Sequence, residues 1–186
     1  NQTNDIRRIT AQIALFHSGA LAVFIFLNPP DEIFYFALSA SVSVKALLFS
    51  AMGIFRIDAG TRNLNGIKPE DGLNRLSTSL YIISVGMAFV IPFSPFFVTD
   101  LLLIKIGLMA NKSWIILIPI LGVIFFLVAL NKLLPLLNIE SRDFLLQHQK
   151  ILKTRMMVAF SILLLSLLIG FYGIYNFSNG GFANVQ

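Results

Sequence analysis

Long apolar runs separated by short polar turns and basic loops dominate this chain, and they decide its solvent. The hydrocarbon core of a bilayer is about 30 Å thick, so a helix crosses it with about 20 apolar residues and must pair every backbone polar group internally. The chain is 56% hydrophobic over 186 residues, with 18 Phe and a mean hydropathy of +0.81, far from a soluble domain. It reads as an all-α, polytopic transmembrane helix bundle of about five spans, a single domain over residues 1–186.

The runs can be placed from their punctuation. The first covers about Ile9–Leu27 and is closed by Asn28-Pro29-Pro30-Asp31-Glu32; the second covers about Ile33–Phe55. After the polar stretch RIDAGTRNLNGIKPEDGLNR, a third run begins near Leu76 and meets Pro92 and Pro95. Two prolines three apart remove two backbone donors and disfavour helix at the residue before each, which predicts one broken helix with halves of about 76–90 and 96–110. The remaining spans are expected at about Trp114–Leu130 and Met156–Tyr175, joined by a basic stretch over 131–155 that contains the amphipathic segment FLLQHQKILKTR and His148.

Charge sets the expected orientation. Arg7 and Arg8 precede the first span, Arg56, Arg62, Lys68 and Arg75 follow the second, and Lys132, Arg142, Lys150, Lys153 and Arg155 precede the last. Positive loops stay on the cytoplasmic side. All three groups reach that side if the broken helix crosses once, with the N-terminus inside and the C-terminus outside. The net charge of +5 therefore reports topology, and nucleic acid is not an expected partner. With no cysteine and two isolated histidines, the chain offers no disulfide, thiolate zinc site or iron–sulfur ligand set. No cofactor, metal site or catalytic site is expected in the chain itself.

Ionisable residues inside such runs need a physical reason. A lone charge at mid-membrane costs about 3 kcal/mol on insertion scales, and such residues usually face a wet interior and handle ions. Lys45 lies midway along the second span and shares a face with Ser41; it is either a proton carrier or a structural donor. Asp100 follows the proline break by about a turn and is either a carrier or a cap of the second half-helix, a role Ser94 or Thr99 could also fill. Lys105 is five residues on, roughly 140° around the helix from Asp100, a poor intrahelical pairing, and a candidate to face a neighbouring subunit. His17 shares a face with Thr10 at i+7 and can pass a proton in both directions. Arg7 holds its proton too tightly to relay it and is a candidate anchor. Gly53, Gly86, Gly107 and Gly122 read as small residues for close packing.

Three stretches carry a resemblance. NDIRRITAQIALFHSG resembles the D-I/L-K-R-x-x-A-Y/H-S-S-I/V motif of the antiporter-like proton-pumping subunits shared by respiratory complex I, Mrp-type cation/proton antiporters and membrane-bound hydrogenases. SVSVKALLFSAMGIFRIDAGTRNLNGI is similar to the family's H-A-x-F-K-A-L-L-F and G-T-R-D-L-N segments, and IPFSPFFVTDLLLIKIG to its L-P-P segment with a following acidic or basic residue, here Asp100. The chain departs from the pattern at Ser41, where the family has histidine, and at Arg7, where it has lysine. Members of the family are built of inverted repeats, and this chain corresponds to the C-terminal one, as a split gene product or a piece of a longer subunit.

The resemblance implies proton translocation through a relay of Lys45, Asp100, His17 and Lys105, with Pro92 and Pro95 breaking the helix, in a subunit of a redox-driven oxidoreductase complex. It implies partners among other membrane subunits, including the missing N-terminal helices, with redox chemistry in those partners. A prokaryotic inner membrane or an organelle energy-converting membrane is the expected location. The alternatives are a stand-alone Na+/H+ antiporter module and a non-conducting structural subunit. The relay chemistry is that of coupled titration: burial disfavours the charged form of a lysine or carboxylate, a nearby opposite charge favours it, and a row of such groups passes a proton as neighbours change state.

Overall fold

The computed structural model describes residues 4–67, 73–89, 91–139 and 146–179, the side chains of 146–152 excepted. It is an all-α bundle of α1 (Ile6–Phe26), α2 (Asp31–Ala59), α3 (Arg75–Phe89), α4 (Pro95–Met109), α5 (Leu117–Leu133) and α6 (Leu146–Ser178). Among the described residues, Ile6–Phe26, Asp31–Ala59, Ser113–Asn138 and Lys153–Ser178 are long and apolar enough to cross a membrane. This is a membrane protein.

The helix ends follow from local chemistry. Asp5 caps α1 by accepting the Arg7 amide at 2.9 Å, while the Ile6 amide donates to the Arg62 carbonyl and Asn4 to Asn65, so the GTRNLN loop holds the chain entry. Asn28, at φ +51°, turns the chain ahead of Pro29 and Pro30, and α2 opens with Asp31 and Glu32 in its first turn, where the helix dipole favours acids. Gly60 ends α2 in the left-handed conformation, the usual helix stop. Asp58 then accepts the Asn74 amide at 2.9 Å and the Ser77 hydroxyl, pinning the start of α3 to the end of α2.

α1 acts as a ruler for α3 and α4. Thr10 meets Tyr81 of α3; His17 meets Phe89, the last residue of α3, and Phe96, in the first turn of α4; Phe24 packs in one apolar cluster with Val98, Leu102, Leu103 and Ile106 of α4. The two helices therefore lie end to end beside one span. Each has 15 residues, about 22 Å at 1.5 Å per residue, too short to cross alone. The core divides in the same way. One cluster joins Ile6, Ile13, Phe55, Tyr81 and Leu133 at the end where α1 begins, and the other joins Phe24, Ile33, Phe36 and Ile106 at the opposite end.

The break itself is a tight turn. The Ser94 amide donates to the Ile91 carbonyl at 3.0 Å, with Pro92 second and Phe93 third at φ +70°, the pattern of a type II turn that normally takes glycine at the third place. Ser94, fully buried, caps α4 by accepting the Phe97 amide at 3.0 Å, and Pro95 occupies the first helical position, where its missing N–H costs nothing. Ser94→Ala should lower stability by about 1 kcal/mol, read as a lower melting temperature in detergent; an unchanged melt would show that the turn holds without its cap.

Some expectations need correction. Asp100 is not the cap of α4, because Ser94 already fills that position. The last helix starts at Leu146 rather than Met156, since QHQKILKTR continues the helix as a polar extension instead of a loop. His148 and Lys150 are therefore helical, with side chains outside the described residues; Lys68 and Arg142 also lie outside them. Of the glycines expected at close contacts, Gly53 has open space, whereas a Cβ at Gly86, Gly107 or Gly122 would meet Ile91, Ile115 or Phe16. The closest approaches fall instead at Gly170 and Gly173 of α6. A Cβ on Gly170 would stand 1.8 Å from the Phe93 carbonyl oxygen, and one on Gly173 would stand 2.4 Å from the Phe36 ring.

Candidate functional site

Of the polar groups in the spans, His17 packs directly against the break. His17 is buried at 2% exposure and its ring lies 3.9 Å, centroid to centroid, from Phe96 and 4.9 Å from Phe89, with Phe16 edge-on at 5.5 Å. Neither ring nitrogen bonds to any described residue. A histidine placed only for packing would normally satisfy at least one nitrogen, because an unpaired buried polar group costs about 1–3 kcal/mol. Thr10, two turns earlier on the same buried face of α1, shares a 2.9 Å hydrogen bond with the buried Tyr81 hydroxyl. Tyr81 in turn stacks on Phe55 of α2.

Lys45 is joined to α1 at Ser18, the residue after His17. Its ammonium does not bond to the imidazole, however; it donates to the Ser18 hydroxyl at 2.8 Å, at the outer seam of α1 and α2. Ser41, its neighbour one turn earlier, points into the core. Lys45 and Asp100 form no ion pair with each other, and Arg7 pairs with Asp5 at 3.5 Å. Arg7 thus sits in the first turn of α1, beside the capping Asp5.

Asp100 stands one helical turn beyond Phe96 on α4, on the same side of that helix. It is half-buried and accepts no hydrogen bond from any described residue. Lys105 is carried away from it, with its Nζ 5.8 Å from the Phe177 ring centre of α6. The structure therefore brings His17 and the Pro92–Pro95 break together, leaves Lys45 on Ser18 at the outer seam, places Asp100 a turn beyond Phe96, and sets Lys105 on the α6 side.

Several residues here have no signal in the sequence. Ser18, Tyr81 and Asp58 gain their roles only from neighbours on other helices. Ser166 is fully buried on α6 without a hydrogen-bond partner among the described residues, one turn before Gly170. The one recognisable sign is the Ser166–Gly170 spacing of four in an apolar run, a small-residue pattern for close helix approach. Comparisons with protein-family models, with curated proteins and with solved structures find no match.

Proposed function

We propose that this chain translocates protons, as part of an antiporter-like subunit of a redox-driven membrane complex. The observation that carries the reading is the setting of His17: a buried imidazole with both nitrogens unbonded to any described residue, against the discontinuity between α3 and α4. An interrupted helix exposes backbone groups that bind water and ions within a span, which is where such interruptions serve transport. His17 can donate through one nitrogen and accept through the other. Thr10 and Tyr81 extend the row of hydroxyls toward one end of the bundle, and Asp100 extends the row of ionisable groups toward the other. The sequence resemblance to antiporter-like subunits supports the same assignment, with redox chemistry in partner subunits.

Lys45→Ala should impair translocation in sealed vesicles while leaving the protein in the membrane, because a titratable charge is lost and little packing is. Full translocation by the variant would instead favour a structural subunit, with the Ser18 bond as the purpose of Lys45.

Orientation belongs to the same proposal. Arg7, Arg8, Arg56, Arg62, Arg75 and Lys132 fall at the end of the bundle where α1 begins, and the positive-inside rule assigns that end to the cytoplasm. A cysteine at Gly60 should react with an impermeant thiol reagent added from the cytoplasmic side and be protected from the other. A tag at Gly180, outside the described residues, should show the reverse. Labelling of both from one side would contradict a single crossing by α3 and α4.

A further inference from the structure

The bundle does not provide for the Lys45 charge by itself. Lys45 is 14 residues from Asp31 and 14 from Ala59, the two ends of α2, so roughly 21 Å of helix lies on either side, at 1.5 Å per residue. A lysine stem cannot reach the membrane surface over that distance. The side chain leaves α2 on the outer side of the bundle, between Val42 at 62% exposure and Phe49 at 45%. Ser18, which accepts its hydrogen bond, is itself exposed on α1. A hydroxyl carries no charge, and the ammonium has two further protons with no acceptor among the described residues. The surrounding surface is otherwise apolar or small: Ala14 and Ala22 lie one turn to either side of Ser18, and Gly19 has open space before it.

We infer that the α1–α2 face around Ser18 and Lys45 is covered by a transmembrane helix of a partner polypeptide that presents an Asp or Glu at mid-membrane to the Lys45 ammonium. Charge complementarity selects this occupant over lipid: acyl chains fit Val42, Phe49 and Leu15 but leave a cation in hydrocarbon, which membrane proteins avoid by pairing. Asp100 does not serve this need within the chain, since it lies on α4 and makes no ion pair with Lys45. Ala14, Ser18, Gly19 and Ala22 let a neighbouring helix backbone come close, as small residues do at membrane helix interfaces. The pairing concerns charge alone and holds whether or not protons pass along it.

A photo-crosslinking amino acid at Val42, in the full chain in its native membrane, tests this. The adduct should map to a membrane helix of another polypeptide, within one turn of an Asp or Glu. Lys45→Glu should then reduce the recovered complex several-fold, and exchanging the partner's acid for lysine in that background should restore it. An adduct with lipid alone, with a second copy of this chain, or with a helix lacking an acid within a turn would overturn the inference. So would failure of the charge exchange to restore the complex.

Discussion

Gly170→Val is expected to prevent the bundle from closing. A Cβ at this position would fall 1.8 Å from the Phe93 carbonyl oxygen and 2.8 Å from its carbon, so the obstacle is backbone rather than a side chain that can rotate away. Overpacking a core normally costs about 1–3 kcal/mol. Here relief requires moving either α6 or the turn that Pro92, Phe93 and the Ser94 cap hold in place, so the cost should exceed about 3 kcal/mol, in the range of severe mutants. Phe93 also stacks its ring on Phe171, 5.0 Å between centres, so the displaced helix would lose a second contact. Thermal unfolding and size-exclusion profiles in detergent should show an aggregated or strongly destabilised product. Gly53→Ala, at an open helical position, should be neutral or slightly stabilising, because alanine is favoured over glycine within helices by about 1 kcal/mol. A Gly170 variant that melts like the wild type would mean that α6 does not clamp the break.

The clamp explains why the break persists. Phe93 takes a positive φ, which a bulky residue adopts only where its surroundings enforce it. Gly170 and Gly173 allow α6 to lie against the turn and α4, with Gly170 at the turn and Gly173 against Phe36 and Val98. Just past the prolines, Phe96 packs its ring on His17 of α1 and Asp100 follows one turn along α4.

The parts of this arrangement that depend on local sequence could be read in advance. The apolar runs marked the helices, and Pro92 and Pro95 marked the break to within a residue or two, because both signals act through the backbone of the residues that carry them. The start of α6 could not be read so well: QHQKILKTR is polar enough for a loop, yet has neither proline nor glycine to end a helix. Asp100 remained ambiguous between carrier and cap because Ser94, Thr99 and Asp100 all have side-chain oxygens near the helix start; only the geometry, with Ser94 on the Phe97 amide, separates them. The Lys45–Ser18 bond and the Thr10–Tyr81 bond join residues 27 and 71 positions apart. No spacing rule within one helix reports such pairs, since they depend on how separate helices align.

The most direct test of proton translocation lies at Asp100, which the structure frees from any capping duty. Its carboxyl has a removable proton, which an amide of the same shape lacks. Proton flux should be measured with a pH-sensitive dye in sealed vesicles containing the fully assembled complex, comparing wild type, Asp100→Asn and Asp100→Glu. Asp100→Asn should fall to background while Asp100→Glu, which keeps the acid on a longer stem, should retain part of the flux. Wild-type flux from a well-assembled Asp100→Asn complex would contradict a relay through α4.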